Sequence, residues 1–178
     1  DDLVPLGQWI CQQNPGLWEA VRFVFPEAPL SLSHMGMPGG RAWWMIDTLA
    51  MQRAIESGKP RDLSRDIPEG MPEASAMVSE LVKQLMDSHE LKADRMILGG
   101  FSQGSMVTTD VALRMTQAPG GLIVMSGTLV CESVWREISQ KRGMLKILQS
   151  HGRQDPILSF EGAKALRNLF LQSSFDHQ

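Results

Sequence analysis

The stretch Arg95–Met106 constrains the fold of this chain more than any other part of the sequence. A short apolar run, Met96–Leu98, is followed by the motif Gly100-Phe-Ser102-Gln-Gly104 and then by a segment compatible with a helix. The G-x-S-x-G spacing is typical of a nucleophile elbow, a strained strand-to-helix turn that exposes a serine hydroxyl. Glycines are expected on both sides because a Cβ two residues from the serine would collide with the adjoining strand and helix. Ser102 is therefore the candidate nucleophile, and the alternative is a glycine-rich turn without chemistry.

The pattern around the motif favours the elbow and predicts the fold class. Met96–Leu98 suits a buried parallel strand, and Ser105–Met115 continues as a helix without Gly or Pro. The other predicted elements are strands at Val21–Phe25, Leu122–Met125 and Lys146–Gln149, and helices at Leu6–Gln12 (stopped by Pro15), Glu73–Asp87 and Glu161–Leu171. Strands that alternate with helices predict an α/β fold with an open, mainly parallel sheet covered by helices.

A second functional signal is Asp155, in the segment Ser150-His-Gly-Arg-Gln-Asp155-Pro156. An apolar strand ends just before this segment, so Asp155 lies in the loop that leaves the strand. Functional groups of an open parallel sheet gather at the carboxyl ends of its strands, which places Asp155 on the same edge as Ser102. The alternative is that Asp-Pro only makes a turn and that Asp155 caps the following helix.

These motifs belong to a wider resemblance. The chain resembles the phospholipase/carboxylesterase branch of the α/β-hydrolases, the group that includes acyl-protein thioesterases and small bacterial carboxylesterases. The resemblance follows the family's order over nearly the whole chain, and the stretches that carry it are Asp2–Leu6, Val21–Pro29, Gly39–Trp43, Gly99–Gly104, Met125–Thr128 and Ser150–Asp155. The chain order Ser then Asp also matches that of the α/β-hydrolases, in which the catalytic histidine comes last.

The resemblance implies a serine hydrolase that cleaves carboxylic esters through an acyl-enzyme on Ser102, with acyl-protein thioesterase or lysophospholipase activity as the alternative. Asp155 would orient the basic histidine, and the backbone N–H of Gln103 would be one donor to the oxyanion. In this family a His-Gly-x-Gly loop after the first strand supplies the other donor. We expect residues 1–178 to form a single α/β-hydrolase domain that lacks this first strand and the C-terminal histidine loop.

None of the four histidines is a strong candidate for the base. The family's catalytic histidine usually follows the acid at a longer distance, in a loop after one further strand, whereas 23 residues follow Asp155 here. His177 is in a segment that resembles the approach to that last strand. His151 is expected to pack and hydrogen-bond at a strand end, His34 to lie in a loop, and His89 to follow the helix at Glu73–Asp87.

Substrate-binding candidates come from the loop that resembles the family loop beside the nucleophile and from the residues after Asp155. Met37, Trp43, Trp44 and Leu158 are candidates for the wall of an acyl pocket. The alternative for at least one tryptophan is that it fills core between sheet and helix. The expected partner is a small-molecule or lipid-like acyl ester, with neutral acyl groups preferred.

Composition and residue spacing argue against several other classes of protein. Charged residues make up 21% of the 178 residues, the net charge is −3 and there is no basic cluster, which argues against nucleic-acid binding. No apolar run is long enough for a membrane span, so stable membrane insertion is not expected. Cys11 and Cys131 do not make a disulfide framework, and a cytoplasmic monomer or homodimer is the default. No metal-ligand spacing occurs, and no cofactor is expected.

Two rival readings remain open. One is a dienelactone-hydrolase-like or peptidase-like enzyme of the same fold, although the former usually has cysteine at the position of Ser102. The other is a non-catalytic binding module that keeps the hydrolase scaffold. A histidine in the expected downstream loop of the full-length protein would favour the enzyme, and its absence would favour the binding module.

Overall fold

The structure of the chain is a computed structural model that describes residues 3–58, 61–141, 143–173 and 175–177. Asp2, the first residue of the resembling stretches, lies outside these ranges. The chain divides into two compact units, residues 1–42 and 43–178, which are described separately below.

The described part of the first unit, from residue 3 onward, contains two α-helices and a short hairpin. Helix α1 spans Val4–Gln13 and α2 spans Pro15–Ala20, while strands β1 (Leu30–Ser31) and β2 (Arg41–Ala42) pair antiparallel. The predicted N-terminal helix is thus confirmed. Pro15 follows its end as predicted, and Pro15 also begins α2, because the fixed φ of proline suits the first position of a helix.

The prediction of a strand at Val21–Phe25 is wrong. Val21 has extended dihedrals (φ −129°, ψ 129°), but within the described ranges no strand pairs with this segment. Phe23 and Phe25 stack on each other with ring centroids 5.9 Å apart, as side chains two residues apart on an extended backbone can do. An extended conformation becomes a strand only when a neighbouring backbone accepts its hydrogen bonds.

The second unit is built on a four-stranded parallel sheet. Its strands are β3 (Ile97–Phe101), β4 (Gly121–Met125), β5 (Lys146–Ser150) and β6 (Asp176–His177), in that spatial order. The register pairs Phe101 with Met125 and Met125 with Ser150, so β3, β4 and β5 end side by side. The predicted strands around the elbow and the predicted parallel sheet are confirmed.

In the described part of this unit the α-helices are α3 (Thr48–Ser57), α4 (Met71–Ser88), α5 (Gln103–Arg114), α6 (Glu132–Gln140) and α7 (Phe160–Gln172). The helices α4, α5 and α7 correspond to the predicted ones. The sequence did not predict α3 or α6, whose short apolar patterns do not stand out. Helix α3 is defined instead by its ends, because the Asp47 side chain accepts from Ala50 N (2.8 Å) and Gly58 adopts the left-handed conformation.

The core of this unit lies on one face of the sheet. Along β3 the residues alternate between exposed and buried, so Leu98 is buried while Ile97 and Phe101 are exposed. The prediction that Met96–Leu98 forms a buried strand therefore holds for Leu98 but is wrong for Ile97. Helix α5 is buried along most of its length, including Val107, Val111 and Leu113, and it packs against both β3 and β4.

A buried carboxylate ties α5 to α6. Asp110 accepts from Trp135 Nε1 at 2.9 Å through one oxygen and from Arg114 Nε at 2.8 Å through the other. Trp135 is fully buried, and Asp110 is 3% exposed. Each carboxylate oxygen has a donor, so this charge is compensated inside the core.

Candidate active site

Ser102 lies between the last residue of β3 and the first residue of α5, as predicted for an elbow. Its backbone has φ 53° and ψ −120°, which is a strained conformation for a residue with a side chain. Its N–H donates to the carbonyl of Met125 on the neighbouring strand (3.0 Å). Strain of this kind persists only where the surroundings enforce it, and it is typical of functional sites.

Ser105 holds the other side of the elbow. Its N–H donates to the Ser102 carbonyl at 3.0 Å and its hydroxyl donates to the same oxygen at 2.6 Å. Ser105 is completely buried, and a Cβ at Gly127 would lie 2.5 Å from its Oγ, so Gly127 leaves the room that this hydroxyl occupies. Sequence reasoning missed this support, although a serine three residues after the candidate nucleophile is a signal that points to it.

The two glycines of the motif have different roles. A Cβ at Gly100 would overlap the carbonyl of Gly104 and would lie 2.5 Å from the nitrogen of Ser105, so only glycine fits there. A Cβ at Gly104 would meet only Trp43 Nε1, at an ordinary 3.5 Å. The prediction that a Cβ would collide is therefore confirmed at position 100 and is wrong at position 104. Gly104 takes part in the close approach through its backbone carbonyl, which lies where a Cβ of Gly100 would be.

Gln103 begins α5 directly after Ser102. The first N–H groups of a helix have no partner within the helix and carry the positive end of its dipole. The side chain of Gln103 points to a different segment, because its Oε1 accepts from Trp43 N (3.0 Å) and its Nε2 donates to the carbonyl of Trp44 (3.0 Å).

The four predicted wall residues lie in different surroundings. Trp43 is partly buried beside the elbow, while Trp44 is 6% exposed and belongs to the hydrophobic core. Leu158 is buried and follows Asp155 closely. Met37 is exposed and belongs to the first unit.

Asp155 follows β5 at the same edge of the sheet at which Ser102 follows β3, as the parallel register requires. Its Oδ1 accepts from Ile157 N (2.9 Å) and Leu158 N (3.0 Å). Its Oδ2 lies 3.7 Å from His151 Nε2. One oxygen is thus used by the turn, which agrees with the turn-forming alternative, but the other has no backbone donor among the contacts described.

His151 is held at the end of β5. Its side chain is 3% exposed, and its Nε2 lies 2.8 Å from the carbonyl oxygen of Leu158. A carbonyl only accepts, so this ring nitrogen carries the proton. Its Nδ1 is buried and has no hydrogen-bond partner within the described part of the chain. The expected role of His151, packing and hydrogen bonding at a strand end, agrees with these contacts.

His177 lies in β6, which agrees with the expectation that its segment approaches a strand. Its Nε2 is 2.9 Å from Gln149 Oε1, and its ring packs against Phe170. Burial, reinforced by the charge of Arg167, lowers the pKa of His177. Among the described residues, no hydrogen bond is found between the Ser102 hydroxyl and a histidine.

The described ranges also lack other kinds of site. They contain no group of three or more His, Cys, Asp or Glu residues arranged to hold a metal ion. None of the helices in these ranges combines the length and the apolar character needed to cross a bilayer. Cys11 and Cys131 are free and buried.

Solved structures share this fold. The crystal structure of esterase PE8 superposes with a TM-score of 0.74 at 24% identity and covers 99% of this chain and 74% of its own. The crystal structure of SOBER1 from Arabidopsis thaliana gives a TM-score of 0.64 at 22% identity, covering 87% of this chain and 70% of its own. These similarities show that this chain shares the fold of the two proteins.

Curated relatives and a family model match the sequence. Acyl-protein thioesterase 1 of Debaryomyces hansenii is 30% identical over 162 residues, covering 88% of this chain and 64% of the relative. Its counterpart in Mycosarcoma maydis is 29% identical over 152 residues, covering 84% and 61%. The chain thus spans less than two thirds of the length of these relatives. The phospholipase/carboxylesterase family model matches residues 9–178. Because this match covers almost the whole chain, the protein belongs to the phospholipase/carboxylesterase family.

Proposed function

We propose that the protein is a serine hydrolase that cleaves carboxylic esters through an acyl-enzyme on Ser102. The observation that carries this proposal is the strained backbone of Ser102 at a strand-to-helix turn. A binding module on the same scaffold has no need for such strain at a serine. Membership of the phospholipase/carboxylesterase family supports the same assignment.

In the proposed reaction the Ser102 hydroxyl attacks the acyl carbon while a histidine takes its proton. The resulting imidazolium is oriented and stabilised by Asp155, whose Oδ2 is not engaged by the backbone N–H groups that bind Oδ1. The imidazolium then protonates the leaving alkoxide or thiolate, and water releases the acyl group by the reverse sequence. His151 and His177 are held by Leu158 and Gln149, so we assign the base to neither.

The tetrahedral intermediate places negative charge on the former carbonyl oxygen. The backbone N–H of Gln103 is the proposed donor to this oxygen, because it lies at the start of α5, beside the nucleophile and at the positive end of the helix. A donor of this kind contributes about 3 to 4 kcal/mol to the stability of the transition state in enzymes where it has been removed. A second donor is proposed to come from the family's N-terminal loop.

The proposed substrates are neutral esters with short to medium acyl chains. Trp43 and Leu158 are the proposed walls nearest to the nucleophile and the acid, and Met37 and Trp44 remain candidates on the sequence resemblance alone. Thioester cleavage is the second candidate, because the curated relatives are named acyl-protein thioesterases and both reactions pass through the same kind of intermediate.

We also propose that residues 1–178 belong to one hydrolase domain. The protein is further proposed to be a cytoplasmic monomer or homodimer, and a reducing compartment suits its two free buried thiols.

The decisive experiment is covalent labelling. The full-length protein is treated with a fluorophosphonate and the adduct is mapped by mass spectrometry. We expect one adduct, on Ser102, that is lost in Ser102→Ala. Ser126→Ala is a matched control, since Ser126 follows β4 at the same sheet edge and also has a positive φ of 45°. Labelling that persists in Ser102→Ala, or that never occurs in active protein, contradicts the proposal.

A further inference from the structure

We infer that the side chain of Gln103 is a positioning residue that holds Trp43 over the nucleophile elbow and thereby sets acyl-chain selectivity. This inference rests on the proposed ester hydrolysis and concerns a different group from the proposed oxyanion donor. The donor is the backbone N–H of Gln103, whereas the positioning group is its carboxamide.

The carboxamide bridges two parts of the second unit that are distant in sequence. It accepts from the N–H of Trp43 and donates to the carbonyl of Trp44, with both bonds at 3.0 Å. The two bonds connect the first turn of α5 with a segment about sixty positions upstream. Because the bond to Trp43 is partly buried, losing it leaves a backbone group without a ready water partner.

The chemistry of the site requires an amide. One group must accept and the adjacent group must donate, and among side chains of this length only glutamine offers both. Glutamate keeps the acceptor but turns a second oxygen toward the Trp44 carbonyl. Methionine fills a similar volume and offers neither bond. The effect of a substitution at position 103 should therefore depend on the hydrogen bonds that the new side chain can make and not on its size.

The bridged segment places an indole ring beside the elbow. A Cβ at Gly104 would be 3.5 Å from Trp43 Nε1, so the ring edge lies against the residue that follows Gln103. Trp43 is only partly buried, while the adjoining Trp44 is anchored in the core. Part of Trp43 thus remains exposed although the residue packs against the core, and we expect the Gln103 bridge to fix where its ring lies relative to Ser102.

The test compares hydrolysis of p-nitrophenyl octanoate and acetate by the full-length protein and its variants. In Gln103→Met we expect the octanoate-to-acetate ratio of kcat/KM to fall by roughly tenfold, mainly through a higher KM for octanoate. Gln103→Glu should shift the ratio in the same direction. Gln84→Met is the matched control, because it removes an exposed glutamine bond on α4 and should leave the ratio unchanged.

A double-mutant cycle shows whether Gln103 acts through Trp43. In a Trp43→Ala background, Gln103→Met should produce little further change in the ratio, because the positioned ring is absent. A fluorescence measurement provides a readout without turnover. The difference in emission between each protein and its Trp43→Phe counterpart isolates Trp43, and acrylamide should quench this component more strongly in Gln103→Met.

Distinct outcomes overturn the inference and the proposed function. If octanoate and acetate lose kcat/KM equally in a folded Gln103→Met variant, or if the quenching of Trp43 is unchanged, Gln103 does not position this ring. If the wild type hydrolyses neither ester and takes up no fluorophosphonate, the proposed function fails. The quenching result then still decides whether the bridge holds Trp43.

Discussion

The carbonyl group of Gly104 occupies the space that a Cβ of Gly100 would need. This contact joins the end of β3 to the first turn of α5 and forces the chain to reverse within the few residues around Ser102. Because β3 and α5 approach so closely, the turn between them leaves no room for ordinary backbone dihedrals at Ser102, and its φ is 53°. The elbow is therefore held together by backbone contacts and does not depend on a substrate.

The contact predicts different tolerances at the two glycines. Gly100→Ala should lower the free energy of unfolding by about 3 kcal/mol, because the rigid backbone of the helix start must move. Gly104→Ala should stay within about 1 kcal/mol of the wild type, because its Cβ meets only the edge of Trp43 and alanine favours a helix. Urea unfolding measures both. Equal losses in the two variants would contradict the asymmetry.

Asp155→Asn should lower kcat of the full-length protein by a factor of about 10³ to 10⁴, because an amide favours the wrong tautomer of the basic histidine. The melting temperature should change little, since the remaining oxygen still accepts from the N–H groups of Ile157 and Leu158. Asp87→Asn, at an exposed position on α4, is the control. A small change in kcat together with an unchanged melting temperature would leave Asp155 with only its turn contacts.

Trp135→Phe should destabilise the protein by about 1 to 3 kcal/mol. The substitution keeps most of the ring but removes the donor to Asp110 Oδ1 and leaves a buried carboxylate oxygen without its partner. Trp18→Phe is the matched control, since Trp18 is 69% exposed, and its effect should stay within about 0.5 kcal/mol. Denaturant unfolding compares the two variants. Similar decreases in the free energy of unfolding would show that the bond from the Trp135 indole N–H to Asp110 does not stabilise the protein.

His177 should make the protein less stable in mild acid. Its folded-state pKa is lowered by burial and by Arg167, while the unfolded chain titrates near the ordinary value of 6.5. Below that value the unfolded state binds more protons, so the stabilisation present at higher pH is lost as pH falls toward the folded-state pKa. His177→Gln should flatten this dependence when unfolding is measured between about pH 7.5 and pH 5. His34→Gln, at an exposed position, is the control. If His177→Gln shows the same slope of stability against pH as this control, the pH dependence does not come from His177.

The proposed acyl pocket predicts a chain-length profile. Across p-nitrophenyl esters from acetate to palmitate, each methylene that becomes buried should add up to about 0.8 kcal/mol of transition-state binding until the pocket ends. Trp43→Ala should move this break. Trp44→Ala should instead lower stability by about 3 to 5 kcal/mol, because Trp44 is in the core. A flat profile, or turnover only of charged substrates, would contradict the pocket.

Sequence alone determined the elbow and the elements next to it. Gly100, Ser102 and the continuous helical pattern after them are local signals, because the turn forms between residues adjacent in the chain. The helices α4 and α7 were likewise predictable from apolar spacing and helix-end residues. The family resemblance rests on such local motifs in their order.

Tertiary structure decided what depends on a neighbour distant in sequence. The segment Val21–Phe25 has strand-forming residues, but a strand also requires a pairing partner, and none is found in the described ranges. The bond from Gln103 to Trp43 and the burial of Trp44 depend on packing between segments far apart in the chain. No sequence pattern encodes such contacts, because each side chain acquires its partner only when the sheet and helices assemble. Local sequence patterns therefore predicted Ser102 as the candidate nucleophile. Only the packed fold distinguished Trp43, which lies beside the elbow, from Trp44, which lies in the core.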